Sequence, residues 1–384
     1  MTDNTAARPA GRRRDAVARP AERRRDTVAR PAERRLDTEP GGRVTLQDVA
    51  DLAGVSLSTA SRVVSEGPRR VGSQLISRVN RAVAELGYSA NLQARAVATG
   101  QSNMVGVVVH DIADPYFSSI AAGLIDVAYP QRLLVCLSST AAAEAGEREY
   151  VALMHSQRAR AVILVGSRTE GQAALAGLRA EIAAFTGAGG RAACIGQDLL
   201  GIDTILPENA VGAEALGRGL VVQGHRKFAV LAGPPGVLTA RDRLTGFLAG
   251  LAAWSVGVDP RLIVHGAFTR DGGYEAMSTI LAMSGPRPDC VFAVNDVMAV
   301  GALARLRAEG IAVPGDIGLA GFDDISTLRD VYPPLTTVRL PLAAMGEMAA
   351  RLVLTDASPE RPRVLPVPGE VVLRESTNRR PPSR

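Results

Sequence analysis

The strongest constraint on this chain lies beyond Ser102, where short β-branched runs alternate with Ala- and Leu-rich stretches of helical length. The runs are Val105–Val109, Leu133–Leu137, Ala161–Val165, Ala192–Ile195, Ala229–Leu231, Leu262–Val264, Cys290–Val294 and Gly318–Gly321. Continuous apolar runs suit strands buried on both faces, and the helical stretches between them supply the long crossovers that parallel pairing requires. The expected class is therefore α/β, built of parallel βαβ sheets. About 270 residues of this pattern exceed one comfortable core, so two lobes are expected. No low-complexity linker separates them, which favours lobes joined by several passes of chain.

Composition agrees. Of 384 residues 46% are hydrophobic and 22% charged, enough for two or three cores and inconsistent with a small disulfide-stapled domain. No window approaches the roughly 18 uninterrupted apolar residues of a membrane span, and the N-terminus opens on Arg-rich polar sequence instead of an export signal. The expectation is a soluble cytoplasmic protein without membrane contact. Cys136, Cys194 and Cys290 are odd in number, far apart and set in apolar runs, so they read as buried small hydrophobes, with neither a disulfide framework nor a metal site. No cofactor is expected.

The net charge of +5 is unevenly placed. Residues 1–40 hold 11 Arg against 7 acids, residues 41–100 hold 7 Arg against 4 acids, and the remainder is slightly acidic. A basic end on an acidic body is the charge distribution of a nucleic-acid-binding head. Within residues 1–42 an 11-residue unit repeats from Ala7, Ala18 and Ala29, with a Pro in each copy and almost no large apolar side chain. Such a segment cannot bury a core and is expected to be disordered. It reads either as an arm adding non-specific DNA affinity, or as a solvated tail or a stretch ahead of the start codon actually used.

Residues 43–90 change character. Thr45 is placed to cap a helix with Leu46, Val49, Ala50 and Ala53 on one face, Asp48 completes a capping box, and Gly54 ends it. After Gly54-Val55-Ser56 a second helix is predicted from about Leu57 to Val64, and a third from about Gln74 to Leu86, stopped by Gly87. In this helix-turn-helix pattern the second helix offers Leu57, Ser58, Thr59, Ser61 and Arg62 to DNA, the hydroxyls suiting phosphates and Arg62 a bidentate contact to guanine. Taken alone, the same pattern also describes a small three-helix packing module.

The stretches TLQDVADLAGVSLSTASRVVSEG (Thr45 to Gly67) and ELGYSANLQARAVATGQS (Glu85 to Ser102) resemble the DNA-binding head and hinge of the lactose/galactose-repressor family of bacterial transcription regulators. Similarity continues in order through VGVVVHDIADPYF (Val105 to Phe117), QGHRKFAVLAGP (Gln223 to Pro234), RDRLTGF (Arg241 to Phe247), FAVNDVMAVGAL (Phe292 to Leu303), GLAGFDD (Gly318 to Asp324), PPLTTV (Pro333 to Val338) and LRES (Leu373 to Ser376). The resemblance implies an all-α helix-turn-helix head on a two-lobed, periplasmic-binding-protein-like core spanning 103–376, followed by a disordered tail at 377–384. It implies a homodimer on pseudo-palindromic double-stranded operator DNA, contacted by Thr45, Ser56, Leu57, Ser58, Thr59, Ser61 and Arg62. A hinge helix over 91–102 then brings Asn91 and Arg95 to the DNA and a minor-groove wedge at Val97, where the family usually has Leu; a shorter wedge should kink the duplex less. Asn91 and Arg95 also read as capping or solvated hinge residues.

For the core, the resemblance implies a repressor whose operator affinity is controlled by a sugar or sugar-like effector between the lobes. A sugar site needs paired hydrogen-bonding groups and an aromatic face. The residues expected to supply them, mostly near strand ends, are Asp114, Tyr116, Phe117, Gln197, Thr239, Arg243, Asn295 and Asp323. Phe117 reads equally as core, and Asp296 as a helix cap. Many family members place an Asp after the strand that here ends in Cys194-Ile195, whereas this chain has Gly196 followed by Gln197, which questions an ordinary hexose. The tail carries no Leu heptad, favouring a dimer over a tethered tetramer.

The rival classes are a sugar-binding enzyme and a solute receptor without regulatory DNA binding. The cluster Gly187-Ala188-Gly189-Gly190 lacks dinucleotide-binding spacing and reads as a turn. His110, His155, His225 and His265 are scattered, without metal-ligand spacing or a nucleophile nearby. A solute receptor has no use for the head.

Overall fold

The computed structural model describes residues 44–66, 72–89, 101–140, 146–169, 171–355 and 360–378. The repeat arm, Asn91, Arg95 and Val97 lie outside them. The chain divides into two units, 1–90 and 91–384.

In the first unit, α1 (Leu46–Ala53), α2 (Leu57–Glu66) and α3 (Ser73–Leu86) pack around Val49, Ala53, Val63, Val79 and Ala82. The start of α1 is a complete capping box: Thr45 N–H donates to Asp48 at 2.8 Å and Asp48 N–H to the Thr45 hydroxyl at 3.3 Å. Those bonds hold the Asp48 carboxyl below its ordinary pKa, the backbone bond from Thr45 contributing most. Gly54 takes the left-handed conformation at φ +59° that turns the chain between α1 and α2, and Arg78 of α3 donates to its carbonyl at 3.0 Å. Helix α2 runs two residues past the expected Val64.

The second unit contains β1 (Met104–Val109), α4 (Pro115–Ala128), β2 (Leu134–Ser139), α5 (Gly146–Ser156), β3 (Ala161–Val165), α6 (Gln172–Gly187), β4 (Arg191–Ile195) and β5 (Asp203–Pro207). There follow α7 (Asn209–Val222), β6 (Phe228–Leu231), α8 (Leu238–Ala252), β7 (Ile263–Val264), α9 (Arg270–Ala282), β8 (Cys290–Ala293), α10 (Asp296–Ala308) and β9 (Gly318–Ala320). The chain ends in β10 (Thr337–Arg339), α11 (Leu342–Leu354), β11 (Val364–Val367) and β12 (Glu370–Val372). One lobe holds a sheet of order β11-β5-β4-β3-β1-β2 and the other a sheet of order β7-β6-β8-β9. Every pairing within these two sheets is parallel, as the alternation predicts.

Successive residues of β1 and β3 point to opposite faces of the first sheet. Val107 and Ile163 join the core cluster shared with α4 and α11, while Val108, Val162 and Leu164 join the cluster of Val151, Met154, Leu178 and Phe185 under α5 and α6. Helices α4 and α11 lie close enough that a Cβ on Gly123 or Gly346 would strike the facing backbone. The chain passes between lobes after β5, on entering α11, and after β11.

Four strands, β5, β10, β11 and β12, were not expected from the local pattern. Two residue assignments also change. Cys136 is half-buried in the edge strand β2, where only one face is covered, while Cys194 and Cys290 are buried. Thr377, expected in the tail, is fully buried: its hydroxyl bonds Thr336 at 2.7 Å and its carbonyl lies 2.9 Å from His225 Nε2. Among the described residues no helix is long and apolar enough to cross a membrane.

Candidate functional sites: the recognition helix and the interlobe cleft

Helix α2 presents an exposed polar surface built on a capped first turn. Ser56 Oγ accepts from Thr59 N–H at 3.2 Å and lies 2.9 and 2.8 Å from the Ser58 and Thr59 hydroxyls. Ala60 and Val63 face inward, which leaves Leu57, Ser58 and Arg62 exposed, with Thr59 and Ser61 half-buried. Leu57 is 46% exposed, an apolar group spent on the surface at the mouth of the helix. Thr45 is exposed, though its hydroxyl serves the cap of α1.

In the body, Arg243 of α8 is the centre of a finished polar network. Its Nη2 and Nη1 donate to the two Asp323 oxygens at 2.6 and 3.1 Å, Nη1 also to the Val294 carbonyl at 2.7 Å, and Nε to Asn209 at 2.8 Å. The guanidinium stands 4.0 Å from the centre of the Phe322 ring. Arg243 and Asp323 are 3% and 4% exposed, so each charge depends on the other. Asp323 sits at φ +116°, a strained conformation for a side-chain-bearing residue, held by its N–H to Val338 at 2.8 Å. Burial lifts its carboxyl to about 6, against the opposing pull of Arg243. Asp296 is also buried and rises to about 7 through burial and then the charge of Asp323; it accepts from Thr337 at 2.8 Å and Ile325 N–H at 3.0 Å.

The other lobe brings α4 to this pair. Asp114 caps α4, accepting from Tyr116 N–H at 2.9 Å, and burial raises its pKa. Burial and the Asp323 charge raise the Tyr116 phenol well above its ordinary range. Phe117 packs edge-on against Tyr116 at 5.0 Å within the first lobe's core.

Gln197 and Thr239, expected near the effector, bond each other: Gln197 Nε2 donates to Thr239 Oγ1 at 3.0 Å while its Oε1 accepts from Arg168 N–H at 2.9 Å. Thr239 N–H donates to Ser167 Oγ at 2.9 Å and Leu238 N–H to the Arg168 carbonyl at 3.0 Å, so these residues clasp the lobes. Asn295 is the N-cap of α10, accepting from Met298 N–H at 3.0 Å, and Asp296 is the first helical residue instead of the cap. Gly196 adopts φ +149°, and a Cβ there would lie 2.5 Å from the Gly166 carbonyl oxygen. The sequence reading missed Asn209, which orients Arg243 from a helix start after the unexpected β5, and Arg168; each carries only the signal of a polar residue just past a strand.

A helix-turn-helix unit and a two-lobed α/β body with a buried charged pair at the cleft define a ligand-sensing DNA-binding protein. Residues 45–91 match the model for bacterial regulatory proteins of the lacI family, and residues 218–377 that for a periplasmic binding protein-like domain. The HTH-type transcriptional regulator GalR of Escherichia coli (strain K12) is 34% identical over 312 residues, covering 81% of this chain and 88% of the relative. The chain belongs to the LacI family of bacterial transcriptional regulators. Solved neighbours include the lac repressor dimer bound to operator and the anti-inducer ONPF, at TM-score 0.72 and 28% identity over 88% of this chain and 99% of that one. A complex of the transcriptional regulator CelR with cellobiose matches at TM-score 0.63 and 29% identity, over 87% of this chain and all of that one.

Proposed function

We propose that this regulator is a cytoplasmic homodimeric repressor that reads a pseudo-palindromic operator through α2 and is switched by a sugar-like effector between its lobes, without catalysis. Arg62 is the principal base-reading residue, with Ser58, Thr59 and Ser61 on phosphates. The observation that carries the effector assignment is the Arg243–Asp323 pair facing Asp114 and Tyr116 of the other lobe. Such a constellation offers donors and acceptors to vicinal hydroxyls, with Tyr116 and Phe117 supplying apolar surface. Ligand and operator affinities are then reciprocally coupled, typically by about 1–3 kcal/mol.

The test is binding of the purified protein to its own upstream DNA, with and without a panel of sugars and nucleosides. Salt-dependent binding to a palindromic fragment, changed about fivefold or more by one panel member, is expected. Arg243→Ala should keep DNA binding and lose the ligand response. Failure to bind DNA specifically, or a normal response in that variant, defeats the assignment.

A further inference from the structure

A second cavity, of about 320 Å³, opens beyond the carboxyl ends of β1, β2 and β3, lined by His110, Thr140, Glu147, Arg148, Ser167 and Arg168 among others. That volume falls within the roughly 300–1,000 Å³ of small-molecule pockets. Arg168 distinguishes the place. It is 6% exposed, and its Nη1 donates to Glu147 at 2.6 Å, yet no described residue accepts from its Nε or Nη2. A guanidinium presents five N–H donors in a rigid fork, and leaving them unpaired in a buried place is unfavourable. An ion pair serving only stability tends to consume its donors, as Arg243 does. Here the unpaired Nε–Nη2 edge of the fork, itself shielded from solvent, matches the two oxygens of a carboxylate or phosphate.

The surroundings favour the same charge. Gly146 at the start of α5 and Gly171 at the N-cap of α6 line the cavity, and Gly171 provides no side-chain cap to the first turn of that sixteen-residue helix, whose dipole favours negative charge there. Among the described lining residues a second cation, Arg148, leaves the balance positive after Glu147 is counted. The loop bearing Arg168 is also the clasp: its backbone meets Gln197 and Leu238, and Ser167 meets Thr239.

We propose that this cavity binds the oxyanion of a small ligand, a carboxylate or phosphate, on the unpaired Nε–Nη2 edge of Arg168, and that the effector which carries it is an acidic sugar derivative. The effector's identity rests on the regulator reading above; the oxyanion site stands on the Arg168 geometry. Because the clasp shares its loop, occupancy acts on lobe closure.

The experiment is thermal melting of the full-length protein without DNA, in inorganic phosphate or acetate against chloride at equal ionic strength. One oxyanion should raise the melting temperature over chloride by roughly 2–4 °C. Phosphate alone identifies a phosphoryl ligand, and acetate alone a carboxylate. The rise should vanish in Arg168→Gln and persist in reduced form in Arg168→Lys. Equal melting in all three salts overturns the proposal, as does an undiminished rise in Arg168→Gln; the wild-type comparison needs no variant to fold. Loss of the regulator reading shows in the operator assay and loss of this one in melting, so the two failures are separable.

Discussion

The body's two buried arginines are finished to different degrees. Arg243, in the second lobe, places every side-chain nitrogen on an acceptor and its face against Phe322. Arg168, in the first, is nearly as buried and among the described residues satisfies one nitrogen of three. Arg168 stands just beyond the end of β3 and Arg243 within α8, yet both are buried, so burial alone does not separate them. The difference lies in supply: three elements of the second lobe converge on Arg243, while among the described residues the surroundings of Arg168 offer one carboxylate, Glu147, and backbone donors. A saturated network fixes geometry, whereas an unsaturated one invites an incoming acceptor.

The largest effect is expected at Arg243. Arg243→Ala strands Asp323 as a buried charge and should lower stability by about 3–5 kcal/mol, measured by denaturant unfolding; a loss below 1 kcal/mol would show that the network is not tightly coupled. Arg62→Ala separates DNA reading from both arginines, weakening operator binding by about 1–3 kcal/mol in a titration while leaving melting and ligand binding unchanged.

A pH series bears on the buried carboxylates, Asp296 and Asp323 of the second lobe, with Asp114 of the first shifted in the same direction. The folded pKa values of Asp296 and Asp323, about 7 and 6, are raised above their common reference of 3.8. The folded state thus holds more protons, and the associated stability is present below about pH 4 and lost as pH rises through 6 and 7. The melting temperature should fall over that window, and Asp296→Asn should reduce the fall by roughly 2–4 °C. The smallest effect is expected in the first lobe: Arg168→Met combined with Glu147→Gln removes an incompletely satisfied pair and should shift stability by less than about 1 kcal/mol.

Local pattern carried the head and most of both sheets, because Thr45, Asp48, Gly54 and the apolar runs act over a few residues. The missed strands depend on distant partners. In β11, Pro366 lowers strand propensity but is tolerated on the sheet edge, and β5 begins with Asp203, stabilised by Arg363 at 2.6 Å from 160 positions away. The cleft was legible to the extent that its residues follow strands. Which of them face a ligand was not, since Gln197 and Thr239 find each other and Asn295 turns its carbonyl oxygen to its own helix.

Gly196 bears on how such a protein changes over generations. Its φ of +149° lies alongside Gly166 at φ +147°, with the Gly166 carbonyl where a new Cβ would go. Replacing Gly196 by Asp would strain the backbone and bring the new Cβ to 2.5 Å from the Gly166 carbonyl oxygen. A side chain at this position therefore calls for a prior adjustment at Gly166, so the two glycines are expected to change together or not at all.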